Sequence, residues 1–131
     1  MTALEIVLQF VDRINACDIP GLAALMTPDH RFVDSLGSVS TGRDTVRERW
    51  HQYFHIVPDY RIEIRRSFTD GPDVVLVGVA RGTYSRDGQM RPADAWQTPA
   101  AWRAVVRDSG VAEWQVYADN EPIRQRMSRV S

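Results

Sequence analysis

Residues 74–84 read VVLVGVARGTY, and this stretch decides which fold classes fit a chain of 131 residues. Its side chains alternate in kind, as in a β-strand, where successive residues point to opposite faces of the sheet. One face carries valines: Val75, Val77 and Val79. The other carries a row of small residues: Gly78, Ala80 and Gly82. The small row leaves space either for large side chains of neighbouring strands or for a ligand.

The period of two continues on both sides of this strand. The β-rich segments are Tyr60–Thr69, Val74–Tyr84, Ala93–Val106 and Val111–Tyr117. The turn signals between them are Asp70-Gly71-Pro72, Asp87-Gly88 and Ser109-Gly110. Strands joined by short turns predict an antiparallel meander.

Residues 1–57 follow a helical period instead. A capping box at Thr2 and Glu5 opens a first helix, and a second, short helix begins at Asp18. A brief strand at 30–34 and a loop at 35–42 precede a third helix capped within residues 41–44 and closed by Pro58. Helices followed by a sheet in so short a chain predict a single α+β domain over residues 1–131, with three N-terminal helices packed on a curved antiparallel sheet that encloses a pocket.

The charge balance excludes some classes of partner. Sixteen basic and seventeen acidic residues give a formal net charge of -1, so neither nucleic acid nor a membrane surface is expected as a partner. Cys17 is the single cysteine and cannot form an internal disulfide. No run of eighteen apolar residues occurs, which predicts a soluble, cytoplasmic protein.

The two faces of the central strand also predict the quaternary structure. Three helices can cover only one face of the sheet, and the face with Val75, Val77 and Val79 is apolar as well. An apolar face without an intramolecular cover is typical of a subunit interface. We therefore predict a homodimer.

Three segments and the order of the elements resemble the nuclear transport factor two superfamily, and within it the SnoaL-like and ketosteroid isomerase-like proteins. The segments are residues 10–18 (FVDRINACD), 31–37 (RFVDSLG, leading to Thr41-Gly42) and 110–119 (GVAEWQVYAD). The resemblance spans nearly the whole chain and implies a cone-shaped α+β barrel around a pocket. This superfamily includes isomerases, cyclases, epoxide hydrolases, dehydratases and non-catalytic binding domains, so the fold alone does not give the reaction.

The resemblance assigns roles residue by residue. Asp34 matches the aspartate that moves a proton in ketosteroid isomerases, whereas their two oxyanion donors correspond to Phe10 and Ala100, which cannot donate a hydrogen bond. Standard ketosteroid isomerisation is therefore not expected. Val116 replaces an aspartate that epoxide hydrolases of this fold need. SnoaL-like cyclases need mainly one acid/base carboxylate in a dry pocket, which Asp34 or, as second choice, Asp119 supplies.

The local sequence allows two interpretations of Asp34. It follows the apolar pair Phe32-Val33, and one interpretation is therefore a pocket-wall carboxylate whose pKa is raised by desolvation. It also precedes a loop rich in Gly and Ser, and aspartates commonly cap such loops.

Aromatic residues supply the predicted pocket wall. The predicted substrate-binding residues are Phe10, Trp50, Tyr53, Trp96, Ala100, Trp102 and Trp114. The same residues are equally explained as a hydrophobic core, since the wall of an apolar pocket and a protein core contain the same types of aromatic residue. Asp94 is a minor candidate near the pocket mouth, and His30 is close enough in sequence to the first strand edge to reach the entrance but has no assigned role. The pocket or interface placement of Tyr117 and Asp119 is left open.

No cofactor and no metal are predicted. His51 and His55 have the spacing of two metal ligands, but Gln52 stands where a zinc protease has glutamate, and no third ligand is identifiable.

The sequence and the resemblance leave two candidate functions. The first is an enzyme in which Asp34 transfers a proton on an apolar, cyclic small molecule without a cofactor. The second is a non-catalytic small-molecule-binding or accessory dimerisation domain.

Overall fold

The computed structural model describes residues 1–129, which form four helices and one six-stranded sheet. The helices are Ala3–Asn15 (α1), Ile19–Leu25 (α2), Arg43–Ile56 (α3) and Glu121–Met127 (α4). The strands are Met26–Val33 (β1), Val39–Thr41 (β2), Arg61–Asp70 (β3), Asp73–Arg86 (β4), Gln89–Arg107 (β5) and Gly110–Ala118 (β6). The order across the sheet is β2-β1-β6-β5-β4-β3, so the curved sheet is open. The predicted α+β class is confirmed.

Two helix starts have the predicted caps. In α1 the Glu5 amide donates to Thr2 Oγ1 at 3.1 Å. In α2 the Gly21 amide donates to Asp18 Oδ1 at 3.0 Å, which satisfies one of the amides that a helix start leaves unpaired. The third start differs, because α3 follows Gly42 at φ +100° and has no side-chain cap.

The predicted antiparallel pairing holds for β3 to β6, but the sheet as a whole is not purely antiparallel. β1 pairs antiparallel with β2 and parallel with β6, with Phe32 opposite Trp114. A parallel pair needs a long crossover, and here the chain from α3 to β5 provides it. The short strand Val39–Thr41 lies in the segment that was predicted to be a loop.

The C-terminal helix α4 was not predicted. Its sequence carries Pro122 and Glu121 in the first turn, both favourable at a helix start. It has no buried residue, so it lacks the apolar period that reveals a helix in sequence.

The small-residue row of β4 is filled mainly by neighbouring parts of the chain. A Cβ added at Gly78 would lie 1.8 Å from the carbonyl oxygen of Glu63 in β3. A Cβ added at Gly82 would lie 2.3 Å from Cγ1 of Val57. The chain itself therefore occupies the space at both glycines, through the β3 backbone at Gly78 and the Val57 side chain at the end of α3 at Gly82. Of these three small residues, Ala80 is the one that lines the cavity described below.

The hydrophobic core lies between the helices and the inner face of the sheet, the face that carries Leu76 and Trp102. Phe10 of α1 packs on Trp114 with ring centroids 5.0 Å apart, and Trp114 lies 6.4 Å from Trp102 in a stacked pair. All three rings are fully buried. They fill the space under α1.

His30 lies in this core and not at the pocket entrance, so its expected place was wrong. It is fully buried, and its ring stacks on Phe10 at 6.0 Å. Nδ1 lies 2.6 Å from the carbonyl oxygen of Val111, which can only accept, so Nδ1 carries the proton. Nε2 is buried and has no partner among residues 1–129. Burial lowers the pKa of His30 below its ordinary value of 6.5.

This histidine is expected to make stability depend on pH. Because the folded protein resists protonation, the unfolded chain binds more protons below pH 6.5. The free energy of unfolding should therefore decrease as the pH is lowered from about 6.5 to the folded-state pKa. The slope should be at most about 1.4 kcal/mol per pH unit. Urea unfolding between pH 5 and 7.5 measures this slope. His30→Met should lose it and His51→Gln, at an exposed position, should keep it; equal slopes in both variants would contradict the prediction.

Candidate functional site

A cavity of about 180 Å³ lies between α3 and the inner face of the sheet, and the start of α4 borders it. Five aromatic rings line it: Phe32, Trp50, Tyr53, Tyr60 and Trp96. Its polar lining residues are Asp34, Ser35, Arg49, Thr98, Asp119 and Asn120. An apolar wall with a few polar groups is the usual composition of a small-molecule site.

The aromatic wall is held by its own ring contacts. Trp50 lies edge-on to Phe32 at 5.8 Å, and Tyr53 lies edge-on to Tyr60 at 5.0 Å. Tyr60 in turn lies 6.2 Å from Trp96 across to β5. Edge-to-face pairs are favoured arrangements of aromatic rings. The wall is therefore preorganised by packing.

Two tyrosine hydroxyls in this wall stay protonated. Burial raises the pKa of Tyr53 well above its ordinary value, and the neighbouring Tyr60 acts in the same direction. Burial also raises the pKa of Tyr60. Both are therefore neutral groups that can donate a hydrogen bond to a ligand oxygen.

Asp34 lines the cavity and also caps the loop between β1 and β2. Its Oδ1 accepts hydrogen bonds from the Leu36 and Ser38 amides, both at 2.9 Å. Its Oδ2 lies 3.7 Å from Nη2 of Arg49, and the side chain is 26% exposed. Asp34 thus caps the loop through Oδ1 and also lies at the cavity wall, where Oδ2 accepts no hydrogen bond from residues 1–129.

Three of the seven predicted substrate-binding residues line the cavity: Trp50, Tyr53 and Trp96. The other four lie elsewhere, in the core: Phe10, Ala100, Trp102 and Trp114. The rings of this second group pack under α1, and the cavity is confined to the side of α3. Alternation along a strand gives the face of a residue but not its position along the core, so these four were placed wrongly at the cavity wall.

Several lining residues were missed in the sequence. Arg49 directly precedes the buried Trp50 on α3, and because it is charged it was not considered as a residue of the cavity wall. Tyr60 was taken only as the start of a strand. Asn120 and Ile123 belong to the C-terminal segment, which showed no periodic pattern.

The residues left open at the end of β6 have separate places. Tyr117 points to the outer face of the sheet and is 51% exposed. Asp119 lines the cavity near α4, and its Oδ1 accepts from the Glu121 amide at 2.9 Å. Asp119 is therefore a helix cap beside the cavity.

Asp94 does not line the cavity, although it was considered near the mouth. Its carboxylate is fully buried, with Nη2 of Arg129 at 2.7 Å and Nη2 of Arg86 at 3.6 Å from Oδ1. The hydrogen bond from Arg129, with Arg86 as a second partner, holds its pKa below the ordinary range. Asp94 thereby connects the end of the described chain to β4.

Metal-ligating side chains are dispersed. His51 and His55 are both exposed on α3, and residues 1–129 contain no group of three His, Cys, Asp or Glu side chains placed to hold a metal ion. None of the described helices has the length and apolar character needed to cross a membrane.

The sequence model of the SnoaL-like domain matches residues 7–119. The chain belongs to the SnoaL-like domain family. The predicted resemblance is thereby confirmed. No curated protein matches this SnoaL-like chain in sequence.

Solved structures share the fold of this SnoaL-like domain. A proposed SnoaL-like polyketide cyclase from Jannaschia sp. CCS1 has a TM-score of 0.84 at 17% identity, over 98% of this chain and 93% of that one. A protein of ketosteroid isomerase-like fold from Catenulispora acidiphila, solved with trimethylamine, has a TM-score of 0.80 at 18% identity, over 93% and 91%. A proposed polyketide cyclase from Streptomyces antibioticus has 0.80 at 18% identity, over 98% and 100%. Such identities show a common fold.

Proposed function

We propose that this SnoaL-like domain is a cofactor-free enzyme that moves a proton within an apolar, cyclic small molecule, with Asp34 as the base. The single observation that carries the proposal is Oδ2 of Asp34, which accepts no hydrogen bond from residues 1–129 and belongs to a residue at the wall of a cavity lined by five aromatic rings. A carboxylate can take a proton from a substrate only when an oxygen faces it without a competing donor. Oδ1 is occupied by two loop amides, which fix the direction of Oδ2.

The cavity supports proton transfer without the donor pair of ketosteroid isomerases. Phe10 and Ala100, the residues at those two positions, lie in the core and do not line the cavity. The neutral hydroxyls of Tyr53 and Tyr60 line it instead and can bind a carbonyl oxygen. Isomerisation or cyclisation of a carbonyl compound fits this arrangement of one base and two neutral donors.

One observation favours the alternative of a binding domain without turnover. The Oδ1 contacts of Asp34 are those of an ordinary loop cap, and a residue needed only for the loop would have the same geometry. Catalysis and binding therefore have to be separated by measuring ligand affinity and turnover in the same variant.

The proposed function is tested first by a thermal-shift screen against steroids, polyketides, terpenoids and fatty acids. A ligand present at a hundred times its dissociation constant adds about 2.7 kcal/mol to the free energy of unfolding. A bound carbonyl compound is then incubated with the protein in deuterium oxide, and mass spectrometry measures deuterium at its acidic carbon. Binding with no exchange above the buffer rate would favour the binding domain over the enzyme.

The homodimer is also proposed here, from the outer face of the sheet. Val77, Ala101 and Tyr117 lie side by side across β4, β5 and β6, and Val77 is 38% exposed. Val79, in contrast, is already buried within the single chain. The apolar row at Val77 is therefore the proposed centre of the interface. The cytoplasmic location also stays a prediction from composition.

Val77→Glu is expected to weaken the dimer at least about tenfold, because a carboxylate without a partner is costly to bury. Light scattering behind a sizing column measures the mass over a range of concentrations. Val39→Glu is the matched control, since Val39 is an exposed valine on β2. A wild-type chain that is monomeric at micromolar concentration contradicts the prediction.

A further inference from the structure

Arg49 brings a positive charge into the cavity beside Asp34. Its Nη1 donates to Ser40 Oγ at 2.6 Å, and its Cζ lies 5.3 Å from the centre of the Phe32 ring. Its Nη2 lies 3.7 Å from Asp34 Oδ2. These contacts orient the guanidinium from three sides. Among the described residues that line the cavity, Arg49 is the one with a positive charge.

Hydrogen-bonding capacity remains on both members of this pair. A guanidinium has five N–H groups, and one of those on Arg49 is used by Ser40. The 3.7 Å separation from Asp34 Oδ2 is too long for a hydrogen bond, so Nη2 keeps its two N–H groups. Oδ2 keeps its lone pairs. An oxygen and an adjacent C–H of a ligand could therefore contact Arg49 and Asp34 at the same time.

The pair also suits the movement of charge in a proton transfer. When the C–H bond next to a ligand carbonyl breaks, the proton forms an O–H bond with Asp34 Oδ2. The C–H electron pair forms a C=C bond to the carbonyl carbon, and the π pair of the C=O bond moves to the oxygen. One negative charge thus passes from Asp34 to the ligand, and the total charge of the cavity is unchanged. A cation that is adjacent to both oxygens stays paired before and after the step.

We propose that Arg49 is the catalytic residue that stabilises the negative oxygen formed on the substrate, which is a neutral cyclic ketone or ester with an acidic C–H beside its carbonyl. This inference rests on the proposed function, since it names the partner of the base. It assigns to α3 the task that Phe10 and Ala100 cannot perform.

Other donors near the cavity are less suited to this task. Tyr53 and Tyr60 line it, but they are neutral hydroxyls. The indole nitrogen of Trp96 is buried beneath the cavity surface, and Trp102 lies in the core. A hydrogen bond from a charged donor is about twice as strong as one from a neutral donor.

The test uses two ligands with one ring system, the anion 2-naphthoate and the neutral ketone 2-acetylnaphthalene. Calorimetry measures their dissociation constants in Asp34→Asn, whose residue 34 is uncharged, as Asp34 is after the proton transfer. Naphthoate should bind this variant more tightly than it binds the wild type. Adding Arg49→Gln should weaken naphthoate about tenfold and change the affinity for the ketone less than twofold. Arg47→Gln is the control, because Arg47 is exposed on the same helix and makes no ion pair within residues 1–129.

Each other result has a definite meaning. Naphthoate binding that is unchanged by Arg49→Gln, or no naphthoate binding in Asp34→Asn while the ketone still binds, overturns the role of Arg49 and leaves the proposed function standing. If the wild type and Asp34→Asn bind neither compound, the apolar ligand site itself is wrong, and the role of Arg49 falls with it. Retained ketone binding in the double variant also shows that the variant is folded.

Discussion

Asp34→Asn is expected to slow proton exchange on a bound carbonyl ligand by about a hundredfold or more, the usual loss for a true general base. Asparagine keeps the shape of the side chain and an oxygen for the Leu36 and Ser38 amides. It cannot accept the proton, because the amide nitrogen is not basic at neutral pH. The loop and the ligand affinity should therefore survive while turnover is lost.

The measurement is deuterium incorporation into the ligand, with affinity determined on the same sample. Asp119→Asn is the matched control, since Asp119 also lines the cavity but caps α4. Full exchange activity in Asp34→Asn would remove Asp34 from the mechanism. Loss in Asp119→Asn alone would move the base to the end of β6.

Gly78→Ala is expected to lower the free energy of unfolding by about 3 kcal/mol, at the upper end of the usual cost of overpacking. The added methyl group would lie 1.8 Å from the Glu63 carbonyl oxygen and 3.2 Å from the Ile64 Cα. Both are backbone atoms of β3, at a register shift between Ile64 and Arg66, so no side chain can rotate away. Two strands would have to separate.

Urea unfolding measures this loss, with Ala80→Gly as control. The control changes one methyl group on the same face of β4, but at a position that borders the cavity. It should cost only about 1 kcal/mol, mainly through backbone entropy. A Gly78→Ala variant as stable as the wild type would show that β3 can shift freely.

Local sequence patterns predicted most helices and strands, but they did not predict which distant strands pair with each other. The period of two revealed β3 to β6 because this alternation can be seen in residues that are neighbours in sequence. The parallel pairing of β1 with β6 joins segments about eighty residues apart, as in Phe32 with Trp114, and leaves no local trace. The helix α4 was missed because its attachments are polar and connect it to distant parts of the chain, such as the hydrogen bond from Arg126 to the Ala95 carbonyl oxygen.

The site was partly predictable for the same reason. Asp34 was found because it ends an apolar strand, and Trp50 because it lies on an apolar helix stripe. Phe10 and Trp102 have the same sequence signals but lie deeper, and depth depends on how the helices cross the sheet. Arg49 looked like any solvated helix residue until α3 was placed against β1.

The C-terminal helix has a consequence for how the cavity exchanges its contents with solvent. α4 places Ile123 at the cavity yet buries none of its residues, and arginine contacts from Arg86, Arg126 and Arg129 hold it to the sheet region. Releasing such a segment uncovers little apolar surface, so its local opening costs far less than global unfolding. Amide hydrogens of α4 should exchange faster than those of β4 and β5. The edge of the cavity at α4 is thus expected to open independently of the rest of the domain, whereas its walls on the sheet open only when the whole domain unfolds.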